Sequence, residues 1–104
     1  MKKEIAELPR RANQGSSDAQ NSLGVMYQNG IGVAKDYAQA VKWYMKSAEN
    51  FNSAAEYNLG LMYKNGLGVT KDYAQAVRWF TSAHIHGNSL AGKELQTLRA
   101  TSAR

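Results

Sequence analysis

The chain has 104 residues, 43% of them hydrophobic and 20% charged, with no cysteine and a formal net charge of +5. That is the size and composition of one globular domain, without disulfides or thiolate metal sites, and no apolar run approaches the roughly 18 residues that cross a bilayer. The positive charge favours anionic partners in general, but Lys2, Lys3, Arg10, Arg11, Lys42, Lys46, Arg78, Arg99 and Arg104 are scattered, as on a solvated surface. The N-terminus, MKKEIAELPRRANQG, is charged and has no apolar stretch after it. It carries no signal peptide by this reading, so the expectation is a cytoplasmic protein, with an exported mature fragment as the alternative.

An internal repeat orders the elements. LGVMYQNGIGVAKDYAQAVKW, from Leu23 to Trp43, returns as LGLMYKNGLGVTKDYAQAVRW from Leu59 to Trp79, with 16 of 21 positions identical at an offset of 36 residues. Such a period marks a copied supersecondary unit that stacks on its neighbours. The expected organisation is a single repeat domain over 1–104: a degenerate cap helix (1–15), repeat one (16–51), repeat two (52–87) and a closing helix (88–104).

In chain order, Ile5, Leu8 and Ala12 fall on Val41, Tyr44 and Ala48 when shifted by 36, so the first helix is half a unit. Pro9 inside it predicts a kink or restart. Ser17 and Ser53 are expected to open the first helices of the two units, with Gln20 and Glu56 reaching back as capping-box partners. Ala19, Leu23, Met26 and Tyr27, and then Ala55, Leu59, Met62 and Tyr63, recur at helical spacing and define a buried face. Gly24 and Gly60 each cost a helix about 1 kcal/mol, which close approach to the partner helix would offset.

Gly30 and Gly66 suit left-handed helix ends, and Gly32 and Gly68 add a second permissive hinge. Asp36 and Asp72 suit the caps of the second helices. Those helices carry the stripes Tyr37, Ala40, Val41, Tyr44, Ala48 and Tyr73, Ala76, Val77, Phe80. Trp43 and Trp79 are read as stacking residues between hairpins. After Gly87 the register continues through Ser89, Ala91 and Leu95, but Gln96 replaces the packing glycine and Lys93, Gln96 and Arg99 make one side polar, as on a terminal element. The prediction is an all-α solenoid of antiparallel helix pairs with six helices.

The landmarks Leu23, Gly24, Tyr27, Gly30, Gly32, Val33, Asp36, Ala40 and Trp43, with their copies 36 positions on, resemble the Sel-one-like repeat (SLR) family, a branch of the tetratricopeptide-like helical repeats. Tetratricopeptide units have a period of about 34 residues, and the longer GxGV connection separates the two. The resemblance implies a superhelix whose first helices line a concave groove, and an adaptor or scaffold role in binding proteins or peptides. It places Asp18, Asn21, Val25, Gln28 and Asn29 on the groove in unit one and Ala54, Tyr57, Leu61, Lys64 and Asn65 in unit two. The copies differ at Asn21/Tyr57, Val25/Leu61 and Gln28/Lys64, which lie on this surface. The candidate site is therefore Asn21, Val25, Gln28, Asn29, Tyr57, Leu61, Lys64, Asn65 and Lys93, with Tyr57 as aromatic anchor and Lys64 and Lys93 meeting a carboxylate.

Chemistry finds no foothold in this reading. The GxG at Gly30 and Gly66 lacks the strand, third glycine or Lys-Ser/Thr of a phosphate loop, so no cofactor is expected. His84 and His86, two apart, point to different sides of a helix and do not chelate one metal. There is no nucleophile motif, and Asp36, Asp72, Glu56 and Glu94 are read as caps or surface charges. The expectation is a binding module and not an enzyme, with a protein or peptide partner and a monomeric or weakly self-associating state. The alternatives are weak binding of nucleic acid or another anionic surface through the basic residues, and a self-assembling structural fragment.

Overall fold

A computed structural model describes residues 2–102, with side chains over 8–100. Ile5, Lys2, Lys3 and Arg104 therefore lie outside the described side chains. The described residues form six helices and no strand: α1 (Lys2–Asn13), α2 (Ser17–Asn29), α3 (Tyr37–Glu49), α4 (Ser53–Asn65), α5 (Tyr73–Ile85) and α6 (Ser89–Ser102). Helices α2 and α3 make one hairpin and α4 and α5 the next, while α1 packs on α2, α3 on α4 and α5 on α6. The largest contacts are between consecutive elements, and the stack is elongated, 49 × 25 × 20 Å.

The helix ends follow from local chemistry, with one correction. The caps of α2 and α4 are Ser16 and Asn52, whose side chains accept the Ala19 and Ala55 N–H at 3.2 and 3.0 Å. Ser17 and Ser53 are already inside the helices, because the left-handed turn at Gly15 and Phe51 leaves the following residue extended, the conformation a cap needs. Asp36 and Asp72 do cap α3 and α5, each accepting an N–H (Gln39, Gln75) at 3.1 Å. Gly30 and Gly66 end α2 and α4 with φ of 66° and 67°. The restart expected at Pro9 does not occur: α1 continues through it, since a proline removes one hydrogen bond and those on either side remain.

Gly24 and Gly60 have the role their position implied. A Cβ on Gly24 would run into the Tyr44 ring, and one on Gly60 would sit 2.5 Å from the Phe80 ring. The missing side chains let the two helices of each hairpin close on a fully buried aromatic residue. Between hairpins the tight point is Gly68, at φ 73°, whose backbone lies against the Tyr37 carbonyl at the start of α3.

The core is a series of equivalent clusters. Trp43 packs with Leu8 and Val33 on Ala12, Ala19, Leu23 and Met26, and Trp79 packs on the α3 and α4 residues around Tyr44 and Leu59. The two tryptophans thus join corresponding neighbours one unit apart. The stripes of α3 and α5 are not equally covered: Val41 is 9% exposed but Val77 is 38% exposed. Val41 lies in a cluster flanked by Leu67, Val69 and Trp79, which belong to the unit that follows α3 in the stack, and no described unit follows α5.

Candidate partner-binding wall

The first helices α2, α4 and α6 stand side by side, tied by side chains about 30 or more residues apart in sequence. Asn52 Nδ2 donates to Asp18 Oδ1 at 3.0 Å and Asn58 Nδ2 donates to Asn21 Oδ1 at 3.0 Å, joining the start and middle of α4 to α2. Lys64 Nζ donates to Glu94 Oε2 at 2.8 Å and joins α4 to α6. These bonds make one continuous wall of helices that also carry the inward apolar residues.

The candidate residues are distributed over that wall. Asn21, Val25 and Gln28 are half-buried on α2, Tyr57, Leu61 and Lys64 are half-buried on α4, and Asn29, Asn65 and Lys93 are exposed. Val25 supports the α3–α4 cluster, and Tyr57 and Leu61 support the α5–α6 cluster. Tyr57, Lys64 and Glu94 form a group. The Tyr57 ring lies 5.8 Å from that of Phe80. Its phenol is pushed above the ordinary tyrosine value first by burial and then by the Glu94 charge, with Lys64 opposing, so it is a neutral hydroxyl at physiological pH. Lys64 already has Glu94 as its carboxylate, whereas Lys93 is exposed.

Part of the divergence between the copies has an internal cause. Gln28 Oε1 accepts the Tyr44 hydroxyl at 2.5 Å. In unit two the equivalent aromatic is Phe80, which has no hydroxyl, and the residue equivalent to Gln28 is Lys64, turned toward Glu94 instead. The Tyr44 phenol, fully buried, is pushed up by desolvation.

Reading the sequence missed a buried carboxylate. Glu56 is 1% exposed; it does not reach back to cap α4, and it is not a surface charge. Its Oε2 accepts from Ser82 Oγ, and its Oε1 faces His86 Nδ1 at 2.8 Å. A buried carboxylate needs such partners. Unit one has the corresponding pair with a different second partner: Gln20 is buried, its Oε1 receives Asn50 Nδ2 at 3.4 Å, and its Nε2 donates to the Ala12 carbonyl at 3.0 Å. The signal was present in the paired change from Gln20 and Asn50 to Glu56 and His86, which a reading of each helix alone does not connect. Glu56→Ala is expected to destabilise by about 1–2 kcal/mol, because buried donors lose their acceptor. Glu56→Gln with His86→Asn, which copies unit one, should recover most of that in urea unfolding; equal losses in both variants would show that the site does not work as a pair.

His84, two residues before His86, leans on α6 instead: a Cβ at Gly92 would lie 2.9 Å from its Nδ1. Among the described residues no group of three His, Asp or Glu converges as a metal would require, and no helix is long and apolar enough to cross a membrane.

A stack of 36-residue helical hairpins, closed by glycine–aromatic contacts and presenting a wall of first helices, defines a helical solenoid of the tetratricopeptide-like class. The Sel1 repeat matches twice, over residues 17–50 and 53–87, and the chain belongs to the Sel1 repeat family. Among solved structures it is similar to a Sel1 repeat protein from Oxalobacter formigenes (35% identity, TM-score 0.83, 86% of this chain and 37% of that one). It is likewise similar to a protective antigen with an SLR fold present in uropathogenic Escherichia coli strains (40%, TM-score 0.86, 90% and 20%). Helicobacter pylori cysteine rich protein B is a third such structure (30%, TM-score 0.85, 90% and 71%). The chain thus spans 37% and 20% of the first two of these proteins. No curated protein matches it significantly. Sel1 repeat folds generally serve as protein–protein interaction modules and are typically non-catalytic scaffolds.

Proposed function

We propose that the wall formed by α2, α4 and α6 binds an extended or helical segment of a protein partner, with Tyr57 as anchor. The observation that carries this reading is the held aromatic at that position. The Tyr57 ring rests near Phe80 and is only half-buried, so its orientation is set before binding and little rotamer freedom is lost on contact. Lys64 and Glu94, paired beside it, offer a donor and an acceptor to a polar backbone or side chain, and exposed Lys93 offers a cation to a carboxylate. Asn21, Val25, Gln28 and Asn29 extend the surface along α2, and Leu61 and Asn65 along α4.

Anchoring aromatics commonly carry 2 kcal/mol or more of binding, roughly thirtyfold in affinity. Affinity capture from native lysate should therefore retain a specific protein on the wild-type chain and lose it on Tyr57→Ala/Lys64→Ala, with the variant shown to be folded by its melting curve. A captured protein held equally by both would remove Tyr57 from the site. Binding that collapses steeply as salt rises would favour phosphate contacts to nucleic acid over packing.

A further inference from the structure

Helix α6 repeats the face that α4 gives to α5, and among the described residues only the His84 side chain of α5, against Gly92, reaches its edge. In the second hairpin that face is built from Glu56, which holds Ser82 and His86, from Tyr57 against the Phe80 ring, and from Gly60, which lets Phe80 approach. The equivalents 36 residues on are Gly92, Lys93 and Gln96. Together with Ser89, Arg99 and His84 they border an open hollow of about 360 Å³ floored by Leu95. Its outline is the seat of a second helix.

The chemistry of the seat has changed from that of the hairpins. Where α4 has Tyr57, Gly60 and Tyr63, α6 has Lys93, Gln96 and Arg99. Gln96 fills the position whose emptiness admits Phe80, so an aromatic second helix of the kind found in this chain would collide there. At 3.6 residues per turn, Lys93 and Arg99 fall about 60° to either side of Gln96, which places a cation along each edge of the seat. Glu94, the only acid in α6, is engaged by Lys64.

From this geometry we infer that the α6 face docks an acidic amphipathic helix of a protein partner, lying where α5 lies on α4. Small residues of that helix would face Gln96 and Leu95, and carboxylates on both flanks would meet Lys93 and Arg99. Shape and charge select this occupant. The seat continues the interface already made by α2 with α3 and by α4 with α5, so its shape calls for a helix. Its rim is cationic, so its charge calls for acids. A second copy of this chain fits less well: the unpaired second helix it would offer is α1, whose last turn carries Arg10 and Arg11, both exposed. The seat shares Lys93 with the first-helix wall and is told apart from it by Gln96 and Arg99, which are not among the wall's residues.

The test uses the full chain and a labelled helical peptide with alanines on one stripe and glutamates on both flanks, followed by fluorescence anisotropy. Saturable binding is expected, weakened at least tenfold by Lys93→Glu/Arg99→Glu and unchanged by Lys42→Glu, an exposed change of the same charge on α3. A peptide with lysines replacing the glutamates should not bind. Arg99→Gln, a milder surface change, should give an intermediate affinity. Equal binding of a proline-broken acidic peptide, or full displacement by inorganic phosphate at matched ionic strength, would reveal attraction of anions only and overturn the helix. Loss of binding in Tyr57→Ala with Lys93→Glu/Arg99→Glu silent would move the peptide to the wall and overturn the seat. Self-association of the wild-type chain in sedimentation, abolished by Arg99→Glu, would assign the face to a second copy and overturn an acidic partner.

Discussion

Phe80→Ala is expected to lower the free energy of unfolding by about 3–5 kcal/mol, the range for removing a fully buried aromatic residue. Phe80 has no exposed surface, lies against Gly60 of α4 and forms one cluster with Ala91, Leu95 and Leu98 of α6. Its loss therefore empties the junction of three helices, and the rigid backbone around Gly60 limits collapse into the space. A second substitution makes the argument specific. Gly60→Ala alone should destabilise, because its Cβ would sit 2.5 Å from the Phe80 ring and overpacking of about 1–3 kcal/mol exceeds the roughly 1 kcal/mol gained in helix propensity. In the Phe80→Ala background the obstruction is gone, and the same substitution should stabilise. Additive effects in urea unfolding would mean that the glycine is not there for the ring.

Gly68→Ala is the second large effect, about 3 kcal/mol. The residue has φ 73°, and a Cβ there would meet the Tyr37 carbonyl and, at 3.0 Å, the Ala38 nitrogen. A left-handed alanine costs about 1–2 kcal/mol, and a collision with backbone cannot be relieved by a rotamer change, adding a comparable overpacking term. Gly87 is the matched control: φ is 96° and open space surrounds it, so Gly87→Ala should cost only the conformational term, about 1–2 kcal/mol. Because Gly68 sits on the seam between hairpins, its substitution should also loosen their coupling and broaden the unfolding transition, as nearest-neighbour stacks do when an interface weakens. Equal midpoints for the two variants would show that the seam is not tight at that point.

Phe51 marks the residue type that a period-based reading passes over. It occupies a left-handed position, φ 62°, where the equivalent residues are Gly15 and Gly87, and it is 71% exposed. Its ring makes an edge contact with His86 at 5.6 Å. The contact that accompanies this strained conformation comes from the next unit and has no trace in the local sequence around residue 51.

The amino-acid sequence by itself determined the helices, the hairpins and their order, because the signals responsible act within a turn or two: aspartates before α3 and α5, glycines after α2 and α4, and apolar residues at helical spacing. It also determined that the two helices of each hairpin approach closely at Gly24 and Gly60, since a glycine in the middle of a helix is costly unless something approaches it; that the approaching group is an aromatic ring came from the structure. The tertiary structure alone decided the partners of the polar residues that pair between helices. Lys64 is committed to Glu94 and Glu56 to Ser82 and His86, pairs 26 to 30 residues apart, and no local pattern states which side chain a carboxylate will find across a helix interface. The same holds for the end of the stack, where Val77 is left open while Val41 is covered: burial in a solenoid is a property of the neighbour, and the neighbour is set by packing.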